Sequence, residues 1–207
     1  MQQALINMLT LQDRMNTKVH PQWIEQHYEW FRAIWIECGE LVEHYGYKWW
    51  KKQTPDMEQV RLEVIDIWHF GLSALFVEGK TLAQIAAGIV HALEDYRYQP
   101  QGVREATEAM AAYALNHRSF SVRLFWDLMH AVELDFDELY RHYVGKNVLN
   151  LFRQDHGYKE GTYQKLWQGR EDNEHLMELL KQLDSGAADY ADSLYAQLGD
   201  RYRQASA

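Results

Sequence analysis

Val60-Arg-Leu-Glu-Val-Ile-Asp-Ile-Trp-His-Phe-Gly-Leu-Ser-Ala-Leu-Phe-Val77 is apolar at almost every position. A helix that is apolar on all sides is buried, so this stretch predicts a core helix. Glu63, Asp66 and His69 are its polar interruptions, and Glu63 and Asp66 share a face with Phe70. Burying an unpaired carboxylate costs several kcal/mol, so these two acids require a cationic partner.

The preceding helical segment contains a second acid pair at the same spacing, Glu37-Cys-Gly-Glu40. There Trp30, Ala33, Glu37, Glu40 and His44 line one face beside an Ile34/Cys38/Leu41 stripe. Two such helices side by side bring four carboxylates to one point, with no Lys or Arg among them. Such a set holds Mg²⁺ against a phosphate chain, and all-oxygen ligation favours Mg²⁺ or Mn²⁺ over Zn²⁺. Three other readings stay open. Acid pairs at this spacing ordinarily form a solvated helix face. Asp66-x-x-His69 resembles half of a di-iron bundle site, although Glu40-x-x-x-His44 opposite has the wrong spacing. A helical nucleotide-binding protein without catalysis is the third.

Outward from these segments the pattern is helical throughout. Helices are expected near 3–16, 22–45, 55–78, 81–97, 102–117, 121–133, 136–154, 172–183 and 187–203. Pro21 and Pro55 fall where first helical turns are expected, positions that tolerate a missing N–H. Thr81-x-x-Gln84 has capping-box form and Asp135 with Glu138 imitates it. Gly46 and Gly79 read as C-terminal stops. Alternating β-type runs are scarce, so the fold class is all-α, a helical bundle around a four-carboxylate core, forming a single domain over 1–207. Residues 155–171 form the longest stretch without helical periodicity, and loops of that length are often functional.

The net charge of −9 argues against nucleic acid or an anionic membrane as partner. No apolar run is long enough to span a bilayer, and the N-terminal residues lack the form of a signal peptide. The lone cysteine, Cys38, leaves no internal disulfide and fits a reducing, cytoplasmic setting. Against the acidic background, 141–170 holds Arg141, Lys146, Arg153, Lys159, Lys165 and Arg170 against only Asp155 and Glu160, a focused anion site. Gly157 and Gly161 bracket Tyr158 and Lys159, as in a loop that closes over a ligand. Gly79-Lys80-Thr81 ends like a P-loop, but Ala74 stands where its first glycine belongs, and no strand precedes it.

Several longer motifs, in order, carry a resemblance: Leu11-Gln-Asp-Arg-Met-Asn16, Lys48-Trp-Trp-Lys51, Glu63-Val-Ile-Asp-Ile-Trp-His-Phe70, Gly145-Lys-Asn-Val-Leu-Asn-Leu-Phe-Arg-Gln-Asp-His-Gly-Tyr-Lys159 and Glu171-Asp-Asn173. With the two acid pairs, the chain resembles the dimeric all-α dUTPases of the wider all-α NTP pyrophosphatase group, which includes the MazG-type proteins. The resemblance implies that Glu37, Glu40, Glu63 and Asp66 bind Mg²⁺, with Mn²⁺ as a substitute. Glu40, beside Glu37, would orient or deprotonate the attacking water. Gln12 and Asn16 match the amides that read the uracil edge, and carboxamides at i, i+4 do supply both donors and acceptors. Trp49 or Trp50 would stack on the base or bar a ribose 2′-OH, although core packing is the commoner use of tryptophan, and Lys48 would contact the substrate. Lys146, Asn147, Asn150, Arg153, Tyr158, Lys159 and Tyr163 match phosphate-side motifs. The implied reaction is hydrolysis of dUTP, and of dUDP, to dUMP by a homodimer, which keeps uracil out of DNA. A related pyrophosphatase acting on dCTP or another nucleotide is the alternative within enzymes. Residues 80–135 and the last 30 contribute no motif.

Overall fold

The computed structural model describes residues 1–184, 187 and 189–205. Among them the chain forms nine α-helices and one hairpin of two-residue strands: α1 (Gln2–Val19), α2 (Trp30–Tyr45), α3 (Met57–Leu75), α4 (Leu82–Glu94), α5 (Val103–His117), α6 (Val122–Ala131), α7 (Phe136–Asp155), β1 (Leu166–Trp167), β2 (Arg170–Glu171), α8 (Asp172–Gln182) and α9 (Tyr190–Ala205). The all-α expectation is met. The chain divides into two compact units, Met1–Leu139 and Tyr140–Ala207, with the boundary inside α7.

In the first unit α3 is the buried helix its composition requires, with Val60, Leu62, Val64, Ile65, Ile67, Trp68 and Leu72 all within the core. It packs against α1, α2 and α6; α2 also packs on α5, and α1 on α4. Trp68 stacks on Phe125 at 4.6 Å between ring centroids, and its indole N–H points to the Met8 sulfur. Gly71 permits a close approach, since a Cβ there would meet the Phe120 ring at 2.5 Å. Helix starts follow capping chemistry. Asp56, Thr81 and Ser121 each accept a hydrogen bond from a first-turn amide. Thr81 and Gln84 form a reciprocal capping box, and Asp135 with Glu138 does the same at the start of α7.

The helix expected from residue 22 begins only at Trp30. Residues 21–27 form turns, ending at His27 with φ +50°. Trp23 is buried there, edge-on to Phe76, and donates to Asp13 at 3.0 Å. The segment is therefore held by its own indole rather than by helical hydrogen bonds. Pro55 precedes the N-cap Asp56 instead of occupying the first turn. Gly46 ends α2 with φ +93°, a conformation that favours glycine.

The second unit is centred on Phe152 of α7. It stacks on His156 at 3.8 Å and meets Tyr163, Trp167, Tyr195 and Tyr202 edge-on. The stretch 155–171 is a chain of turns closing in the hairpin, with Gln168 and Gly169 both at positive φ between the paired strands. At Gly145 an added Cβ would fall 2.5 Å from Leu180, so α7 and α8 approach closely there.

Candidate functional site

Glu37 of α2 and Glu63 and Asp66 of α3 each place a carboxylate oxygen within 4.8 Å of the others. Glu63 is buried, while Glu37 and Asp66 are half-buried. The i, i+3 spacing turns Glu63 and Asp66 toward α2, and the α2–α3 packing brings Glu37 to meet them. His44 Nε2 stands 3.5 Å from Glu63 Oε1. Three convergent carboxylates form a hard, all-oxygen donor set that suits a divalent cation such as Mg²⁺ or Mn²⁺. Glu40, one turn along α2, is exposed and lies outside this cluster.

Gln12 and Asn16 are both buried on α1. Gln12 Nε2 donates to Asn16 Oδ1 at 3.1 Å, and Gln12 Oε1 lies 2.9 Å from His69 Nδ1. Asn16 Nδ2 donates to Ser73 Oγ at 3.0 Å, and Ser73 Oγ donates to the His69 carbonyl. The amides are thus cross-tied to α3 through His69 and Ser73. Asp66, His69 and Ser73 follow one another at i, i+3 and i+7, so the amide network continues the stripe that carries the acids. Ser73 was not among the expected residues; a hydroxyl interrupting an otherwise apolar helix was its only sequence signal.

Tryptophans 49 and 50 are not core residues: Trp49 is 91% exposed and Trp50 60%. Their rings meet edge-on at 5.5 Å, and Tyr47 meets Trp50 at 6.0 Å. Lys48 Nζ pairs with Glu43 at 2.6 Å, which holds its ammonium above the ordinary lysine range. The turn is fixed by Gln53 Oε1, which accepts from the Lys48 amide, and by Arg104, which donates to the Gly46 carbonyl. A cavity of about 400 Å³ opens between α2 and α5, lined by Trp35, Cys38, Gly39, Glu43 and Ala111 among others. None of the expected site residues lines it. Burial, with Glu37 nearby, pushes the Cys38 thiol up to about 12.

The expected phosphate-side residues belong to the second unit. Lys146 and Asn147 are buried on α7. Tyr158 and Lys159 are exposed on a turn between Gly157 (φ +88°) and Gly161 (φ +72°), and the Gly157 carbonyl accepts from the Thr162 amide at 2.9 Å. Arg153 makes a two-pronged contact with Asp172: Nε and Nη2 each donate to one carboxylate oxygen at 2.8 Å. Its Nη1 donates to Asn150 Oδ1 at 3.1 Å, and the Tyr163 hydroxyl donates to Asp172 Oδ2 at 2.8 Å. Asp172 is fully buried. Burial pushes its carboxyl up, but the Arg153 and Tyr163 hydrogen bonds outweigh that and leave it below the ordinary range. Burial and the Asp172 contact push the Tyr163 phenol well above its ordinary value. Asp172 was not among the expected site residues; its signal was its place in Glu171-Asp-Asn173.

The family model described as dUTPase matches residues 4–158, running through the first unit and on through α7 into the second. The chain belongs to the dUTPase family, and its activity is that of a dUTP diphosphatase. No curated protein matched the chain.

Proposed function

We propose that the chain hydrolyses dUTP to dUMP and diphosphate with Mg²⁺, Mn²⁺ serving as substitute, and takes dUDP as a second substrate. The observation that carries this reading is that Glu37 of α2 converges with Glu63 and Asp66 on a face of α3 that continues into His69 and Ser73, the partners of the buried amides. Glu37, Glu63 and Asp66 hold the cation, with Glu40 as the fourth carboxylate. When bound, the metal neutralises charge that develops on the phosphates and their leaving group. Glu40, exposed one turn from the cluster, is free of burial cost and orients or deprotonates the attacking water.

Gln12 and Asn16 present amide donors and acceptors to the uracil edge, and His69 and Ser73 hold them in place. The exposed Trp50 stacks on the base or bars a ribose 2′-OH, and the half-buried Lys48 contacts the substrate. Lys146, Asn147, Asn150, Arg153, Tyr158, Lys159 and Tyr163 supply the contacts to the outer phosphates. In this reading the whole chain serves one activity as a homodimer in the cytoplasm, within the all-α pyrophosphatase group that includes the MazG-type proteins. A panel of dNTPs with Mg²⁺, followed by released diphosphate, tests it: dUTP is expected to be turned over at least tenfold faster than dCTP or dTTP. Equal turnover across the panel overturns the base assignment, and turnover undiminished by a chelator overturns the metal assignment. Light scattering tests the dimer.

A further inference from the structure

Asp172 sits at the meeting point of Arg153, Asn150 and Tyr163, three residues matched only to phosphate contacts. A guanidinium carries five N–H donors in a fixed fork. In Arg153 the side-on edge, Nε with Nη2, is taken by the two Asp172 oxygens, and one Nη1 donor goes to Asn150. Three of the five donors are thus engaged, which leaves one N–H on each terminal nitrogen, with the Tyr163 hydroxyl also close to the guanidinium. Two such N–H groups on the end-on edge of a guanidinium have the shape that binds a second oxyanion two-pronged.

We propose that Asp172 is a positioning residue for the phosphate clamp. It locks the side-on edge of Arg153 and the hydroxyl of Tyr163, so that the end-on edge of Arg153 is presented, already oriented, to a phosphate of the nucleotide. Its own carboxylate touches no substrate. This rests on the reading of Arg153 as a phosphate contact.

The chemistry explains why a fully buried acid is used here. A free arginine side chain loses rotamer entropy when it grips an anion. One already held by two charge-assisted hydrogen bonds has lost that freedom during folding. Asn150 supports the third nitrogen from one turn earlier on α7, so rotation about the last bonds of the side chain is blocked from two sides.

The test is Asp172→Asn, which keeps the shape and removes the charge and one acceptor pairing. KM for dUTP is expected to rise about tenfold or more, with a smaller change in kcat. Competitive inhibition by inorganic diphosphate is expected to weaken in step, while inhibition by dUMP is unchanged. Equal weakening toward dUMP and diphosphate is the signature of general structural damage and overturns the proposal. Arg153→Lys separates the two layers of the argument. If that variant leaves diphosphate inhibition untouched, the reading of Arg153 itself fails. If it weakens inhibition while Asp172→Asn does not, the positioning role alone fails. In the double variant the two effects are expected to be strongly non-additive, and additive effects count against Asp172 acting through Arg153. Should Asp172→Asn not fold, ¹⁵N spectra of the wild-type protein decide. The Arg153 guanidinium is expected to show hindered rotation before any ligand is added, and free rotation there refutes the proposal.

Discussion

Glu63 is the most deeply buried of the three clustered acids, and the other two approach it from solvent. Removing negative charge there relieves repulsion among carboxylates and also removes a cation ligand. Glu63→Gln is therefore expected to raise the Mg²⁺ concentration needed for half-maximal rate at least tenfold without lowering Tm, and a fall in Tm with unchanged Mg²⁺ dependence refutes this. Glu40 is exposed, so Glu40→Gln is expected to leave Tm within about 2 °C and to reduce turnover by roughly 10²-fold. Near-normal turnover removes Glu40 from the chemistry. Gln12→Ala behaves differently, because it leaves His69 and Asn16 with lost partners inside the core. It is expected to lose dUTP preference and also about 1–3 kcal/mol of stability, read by denaturant unfolding. Unchanged substrate ranking in that variant sinks the base-reading role.

At the scale of elements, α3 was legible because eleven of its residues are buried and seven of those carry apolar side chains. The capping pairs at Thr81 and Asp135 were legible because a side chain three residues from its partner leaves little choice of geometry. The start of α2 was not. Helical periodicity continued through 22–29, whereas the chain there is held by the buried Trp23 and its bond to Asp13, a contact between separate segments. Glu40 shows a finer limit. An i, i+3 step rotates a side chain by about 60° around the helix, which leaves Glu63 and Asp66 together but carries Glu40 out to solvent while Glu37 stays half-buried. The pairing of Arg153 with Asp172, 19 residues apart, depends on the intervening turns and left no periodic trace. Thr81→Ala, which removes the α4 cap, is expected to cost about 1 kcal/mol, measured by denaturant unfolding.

For the whole molecule the acid side of the stability curve is set in part by the second unit. Glu178 is held down to about 2 by hydrogen bonds from Arg170 and Arg201, and Asp172 is also held below its ordinary value. Carboxylates in the unfolded chain titrate near about 4, so between about pH 4 and 2 the unfolded state binds more protons than the folded one. Stability is therefore fully present above that window and is lost as pH falls through it. Tm followed from pH 6 to 2 is expected to drop in this range, and Glu178→Gln is expected to flatten the drop. An identical profile in wild type and variant refutes the assignment.

Among the tryptophans, Trp23, Trp68 and Trp167 are sealed in the interior, while Trp49 and Trp50 face water. The protein thus carries shielded and open indoles without any label. Iodide, which cannot enter a packed core, should quench the exposed indoles, foremost those of the turn at 49–50, and leave the emission of Trp23, Trp68 and Trp167 intact. Any molecule that settles over that turn would announce itself as a loss of iodide access, at protein concentrations far below those needed for calorimetry.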